Sequence, residues 1–141
     1  MVAIQDLLYQ LRLVAQSMTQ LFERQLGISL TRYQILCFLI DQSPCNQIAV
    51  QERLKIDQAA LTRHFKILEK GGLVKRRRNP QNQREVLVEV TDFAREQLVT
   101  NPPQQHINVE NQMESVLTKG EREEFSRLLE KLISGLEEIE I

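Results

Sequence analysis

The apolar period of this chain changes across Gly71-Gly72, and few folds accommodate that change. Upstream, Ala60, Leu61, Phe65 and Leu68 recur at helical steps behind Asp57, a residue suited to cap a helix N-terminus. Downstream, Val86, Val88 and Val90 alternate with Leu87 and Glu89 as in a half-buried strand. Residues 73–78 read as the partner strand, and the polar run Asn79-Pro80-Gln81-Asn82-Gln83-Arg84 as the turn between the two. The glycine pair lets the backbone leave the helix in the left-handed conformation at little cost. A shorter helix is expected from Asn46 to Leu54, with Ile48, Ala49 and Leu54 facing inward and Lys55-Ile56 turning into Asp57. Two short helices joined by a tight turn and followed by a hairpin make a winged helix-turn-helix.

Longer helices flank this unit. Ile4, Leu7, Leu8, Leu11, Val14, Met18, Leu21 and Phe22 predict one amphipathic helix up to Gly27. A second helix, with Thr31 as the expected N-cap, is apolar around most of its circumference and should form the buried centre; Ser43-Pro44 ends it. After Thr91, an expected N-cap, Phe93, Ala94, Leu98 and Val99 start a helix that Pro102-Pro103 must interrupt. Gly120 marks the expected boundary before a last long helix over residues 121–139. The two end helices carry apolar stripes best covered by packing together and against a second copy, as a two-fold dimer. The expected architecture is mainly α: a winged helix-turn-helix over residues 30–91 with a two-stranded wing, flanked by dimerisation helices at 1–29 and 92–141, all in one domain spanning 1–141.

The net charge of −1 conceals a segregation: residues 52–84 hold ten Lys or Arg against three acids, and residues 85–141 hold five against thirteen. A concentrated basic block in a near-neutral chain suits a polyanion, because neutralising phosphates releases counterions. No stretch approaches the uninterrupted apolar length of a membrane span, and the N-terminus lacks the pattern of a secretory signal, so a cytoplasmic location is expected. Cys37 and Cys45 make no disulfide framework; Cys37 is expected to be buried in its apolar helix and Cys45, beside Pro44, to be exposed. His64 and His106 stand far apart with no cluster at metal-ligand spacing, and neither a nucleophile arrangement nor a glycine-rich phosphate loop is present. The expectation is a protein with no catalytic residues, metal or cofactor, and not an enzyme.

If the helix after Asp57 enters a major groove, its first turns face the base edges, which selects Gln58, Ala59, Thr62 and Arg63, with Lys66 on the same exposed face. Gln58 can pair with adenine, Ala59 can touch a thymine methyl, and Arg63 can reach guanine or a phosphate. Strand alternation lets at most half of Lys75-Arg76-Arg77-Arg78 point at DNA together; Arg76 and Arg78 are the candidates, with Arg78 the phosphate contact nearer the tip. Arg84 is the candidate for the minor groove, whose negative potential favours arginine.

The order of elements, with LTRYQILCFL in the second helix, ERLKIDQAALTRHFKILEKGGLVKR through the helix-turn-helix and NPQNQR before VEVT, resembles the multiple antibiotic resistance regulator (MarR) family over essentially the full length. Thr62-Arg63, Leu68-Glu69-Lys70, Gly72-Leu73-Val74, Arg76, Pro80 and Arg84 carry the resemblance. It implies a dimer whose two winged helices read a roughly palindromic operator, a repressor of nearby genes released by a small-molecule effector, and a partly structural role for Arg76. Where the family's wing commonly has Asp, this chain has Asn82, and Ala94 stands where a glycine is usual. Two other readings use the same surface or fold: a module binding an acidic protein, and a thiol-based redox sensor. Oxidation-sensing relatives usually carry their cysteine in the first helix, where this chain has none.

Overall fold

Gly27 ends the first helix, α1 (Ile4–Leu26), as its position predicts, with φ at 70° and its N–H donating to the Glu23 carbonyl. The structure is a computed structural model and describes residues 2–139, with the backbone alone at Gln105. Met1, Glu140 and Ile141, at the ends of the two flanking segments, therefore lie outside the described residues. By internal contacts the chain forms two compact units, Met1–Gln104 and Gln105–Ile141. Among the described residues, no helix is long and apolar enough to cross a membrane.

In the first unit, α2 (Leu30–Gln42) is capped by Ser29, whose hydroxyl accepts from the Arg32 N–H; the expected cap, Thr31, lies inside the first turn. Phe22 of α1 meets Tyr33 of α2 edge to face, ring centroids 4.7 Å apart. Ile35, Leu36 and Leu39 are fully buried, so α2 is the centre of the core. A two-residue strand, β1 (Cys45–Asn46), follows, and Asn46 caps α3 (Gln47–Leu54). Val50 is the fully buried residue of α3 and Leu54 packs against the core as expected, whereas Ile48 is 61% exposed, contrary to expectation. In a helix of barely two turns, apolar residues on both faces leave the choice of face to the neighbours it packs against.

The next helix, α4 (Gln58–Lys70), sends Leu61, Phe65 and Leu68 into the same core, which is completed by Val74, Val88, Val90 and Ala94. The wing strands are β2 (Val74–Asn79) and β3 (Asn82–Val90), so pairing extends further toward the tip than the sequence suggests. Two local hydrogen bonds shorten the turn: Asn79 Oδ1 accepts from the Gln81 N–H at 3.0 Å, and Asn82 Oδ1 from the Arg84 N–H at 3.2 Å. The hairpin is two-stranded, but β1 adds to the far edge of β3, giving the order β1-β3-β2. Thr91 caps α5 (Asp92–Arg95), which continues as one π turn, Glu96–Thr100, before Asn101 and the two prolines break it. Arg95 donates to the Ile40 carbonyl near the end of α2, at 3.2 Å.

In the second unit, which begins within α6 (Gln104–Val116), the last helix is α7 (Lys119–Glu137). Its start is set by reciprocal bonds between Thr118 and Glu121, a capping box that places Gly120 inside the first turn and not at a boundary. These bonds also hold the Glu121 carboxyl below its usual pKa range. Within a single chain, Phe125, Leu128, Leu132 and Leu136 of α7 are exposed, as are Ile4, Leu7, Leu8, Val14 and Met18 of α1.

Candidate nucleic-acid interface

The start of α4 is held by Asp57, whose carboxylate oxygens accept from the Ala59 and Ala60 N–H groups at 3.2 and 3.1 Å. At its other end, the Leu73 N–H donates to the Leu68 carbonyl and the Gly72 N–H to the Glu69 carbonyl, with φ at 74° on Gly72. This is a Schellman stop, which needs a left-handed residue and so favours glycine. The Thr91 hydroxyl donates to the Gly72 carbonyl at 2.7 Å, tying the base of the hairpin to the same corner. Gly71-Gly72 is therefore a hydrogen-bonded corner that sets the direction of the wing, and not a loose hinge.

Strand alternation then sorts the basic run. Arg76 turns to the α4 side and is held by Glu69, while Lys75 and Arg77 face Glu89 across the hairpin at 3.7 and 3.5 Å. Arg76, itself a candidate DNA contact, is thus engaged by an acid of α4. Arg78 is exposed and spends one N–H on the Gln83 carbonyl at 2.9 Å, leaving the rest of its donors. Among the described residues, Arg63, Lys66 and Arg84 have no carboxylate partner within 4 Å, and all three are exposed. Three of the cations in the block thus contact two acids, Lys75 and Arg77 sharing Glu89, and those on the outer side of α4 and in the distal wing are left for another anion.

The expected contact residues separate into two groups by helical angle. Ala59, Arg63 and Lys66 share the outer face of α4, opposite Leu61, Phe65 and Leu68. Gln58 and Thr62 turn toward the wing, and the Thr62 hydroxyl donates to the Gln58 carbonyl at 2.9 Å. Gln58 lines an open cleft of about 420 Å³ with Gln51 of α3 and with Asn82 and Arg84 of the wing, so the start of α4 and the wing tip border one concavity. Asn82 supplies through a neutral amide oxygen the bond to the Arg84 backbone described above, which needs no charge.

Two residues outside the expected set join this surface. Arg32, in the first turn of α2, lies with Nη1 3.4 Å from Nδ1 of His64 on α4. No local pattern marks that pair, because 32 residues separate its members. Burial, then the positive charges of Arg32 and Arg63, push the His64 pKa down. The cysteines exchange their expected places: Cys37 is exposed on α2, and Cys45 is half-buried in β1, where burial pushes its thiol pKa up. A raised pKa disfavours the thiolate that oxidation needs.

Two outcomes follow from these contacts. Since folding lowers the His64 pKa, the unfolded chain binds the proton more readily; this contribution to stability is complete above the ordinary histidine range and is lost as pH falls through the folded-state value. Urea unfolding midpoints taken between about pH 7.5 and pH 5 should fall less steeply in His64→Asn than in the unaltered chain, and parallel curves would exclude His64 as the source. Glu69→Gln should cost under about 1 kcal/mol of folding stability, as partly exposed pairs do. It should nevertheless speed amide exchange in β2 and β3 while leaving α2 unchanged, and uniform exchange throughout would refute its role as the wing's tether.

Comparison with known proteins agrees with this geometry. A family model described as the MarR family matches residues 28–86. The uncharacterized HTH-type transcriptional regulator YdgJ of Bacillus subtilis is 35% identical over 127 residues, covering 90% of this chain and 75% of that protein. A mutant MarR from E. coli, solved in complex with operator DNA, superposes with a TM-score of 0.76 at 25% identity, covering 92% of this chain and 94% of that one. Bordetella bronchiseptica BpsR, solved in a study of how 6-hydroxynicotinic acid regulates its DNA binding, superposes with a TM-score of 0.75 at 25% identity, over 88% of this chain and 90% of that one.

Proposed function

We propose, starting from the fact that this chain belongs to the MarR family, that it is a homodimeric repressor which holds a pseudo-palindromic operator until a small-molecule effector releases it. The chain is a helix-turn-helix transcriptional regulator and not an enzyme. The observation that carries the DNA reading is the sorting of charge: Arg63 and Lys66 on the outer face of α4, and Arg84 in the wing, are exposed without carboxylate partners among the described residues. In this reading Gln58, Ala59, Thr62 and Arg63 meet base edges, Lys66 and Arg78 meet phosphates, Arg84 enters the minor groove, and Arg76 sets the wing.

The exposed stripes on α1 and α7 support the dimer, since soluble single chains rarely leave so many large apolar side chains in helical register without a partner. A two-fold dimer places its recognition helices in successive major grooves about 34 Å apart, and an effector that changes their separation weakens docking at both. Regulation of BpsR by 6-hydroxynicotinic acid supports an effector of small aromatic-acid size.

The test combines sedimentation with footprinting on intergenic DNA beside the gene. A dimer protecting two half-sites one helical turn apart is expected. A folded monomer at low micromolar concentration would remove the dimer, and an intergenic duplex that cannot outcompete random DNA would remove the regulator.

A further inference from the structure

A helix lying in a major groove has a phosphodiester backbone on each side of it. The wing serves one flank of α4, where Glu69 takes Arg76 and where Gln58 and Thr62 also lie. The other flank, carrying Ala60, His64 and Ile67 by helical period, is turned away from the wing. We propose that Arg32 is a second phosphate clamp for α4, held by His64 on the flank away from the wing. The proposal rests on reading α4 as the helix that enters the groove.

The chemistry at this spot is that of an incomplete anion site. Arg32 is half-buried and, among the described residues, has no carboxylate within 4 Å, so the His64 contact leaves most of its five N–H donors unused. His64 can accept from a guanidinium only when neutral, and its surroundings, burial together with Arg32 of α2 and Arg63 of α4, favour that form. Two arginines gathered around an imidazole, with no carboxylate within 4 Å among the described residues, leave room for an anion. A phosphate beside the groove-facing Arg63 supplies it. His64 acts here as a positioning residue, because it orients the guanidinium and is not itself required to touch DNA.

The experiment uses the full-length protein and a labelled random-sequence duplex spanning two major grooves, since phosphate contacts do not depend on sequence. Arg32→Ala should make the plot of log affinity against log salt shallower by about 0.9 for each protomer bound. His64→Phe, which keeps bulk but removes the acceptor, should weaken binding, and His64→Asn, which restores an acceptor, should recover it. Melting temperatures are recorded for every variant; if Arg32→Ala melts early, Arg32→Gln keeps the stem and carries the same reading. An unchanged slope in both Arg32 variants overturns the clamp while leaving the DNA reading intact. Equal losses in His64→Phe and His64→Asn overturn the positioning role. An unaltered protein that shows no salt-dependent duplex binding overturns both the clamp and the reading it rests on.

Discussion

Phe65→Ala is expected to cost about 3–5 kcal/mol of folding stability, the range for emptying a large aromatic from a core. Phe65 is fully buried at the middle of α4, in one cluster with Ile35, Leu36 and Leu39 of α2 and Val88 of β3, so there is no solvent-facing path by which the space can close. Against a total stability of about 5–15 kcal/mol for a domain, that loss unfolds much of the population at physiological temperature when the starting value lies at the low end of the range. DNA binding would then disappear although the outer face of the helix is untouched. Ile67→Ala on the same helix is the control: Ile67 is 52% exposed, and its truncation should fall within about 0.5 kcal/mol of the unaltered chain. Urea titrations at one fixed protein concentration measure both, because association adds to apparent stability. A Phe65→Ala cost below about 1 kcal/mol would mean that this core is not what holds α4 in place.

Arg63→Ala is expected to leave the fold intact and to lose about 1–3 kcal/mol of discrimination per half-site, a drop of roughly fivefold to 150-fold in preference for each half-site over random DNA. The geometry predicts this because Arg63 projects from the outer face of α4, opposite the buried Leu61, Phe65 and Leu68, and no acid among the described residues competes for its fork. Arg78 is placed differently, on the wing with part of its guanidinium already committed to the Gln83 carbonyl. Arg78→Ala should weaken all duplexes alike and flatten the salt slope by about one unit per protomer. Titrations of footprinted and random duplexes over a range of salt separate the two behaviours. If both substitutions reduce specific and random binding by the same factor, the division of labour between helix and wing is wrong.

Much of the scaffold was readable because its signals are local. Gly27, Asp57, Gly72 and Thr91 each act on backbone groups within a few residues, and each sits in the structure where its chemistry predicts. Misplacements arose where two local choices were equally good. Ser29 and Thr31 both carry hydroxyls suited to a cap, and Ser29 is the one that meets an amide. Gly120 looked like a stop, but the bonds between Thr118 and Glu121 start α7 before it. The polar wing turn proved shorter because Asn79 and Asn82 satisfy backbone amides with their own side chains, letting the strands run on.

The sequence by itself determined the order of elements, the corner at Gly71-Gly72 and the basic block, since periodicity, glycine conformation and charge are properties of neighbouring residues. Only the tertiary structure decided which face of α3 is buried, which cysteine is exposed and which cations are already neutralised. Those outcomes depend on side chains distant in the chain meeting across the fold, as Lys75 and Arg77 meet Glu89, or Arg32 meets His64. A basic run read as one block is therefore divided by folding into cations that face an acid in the wing and arginines left facing outward, because a carboxylate within reach offsets charge that would otherwise be available to DNA.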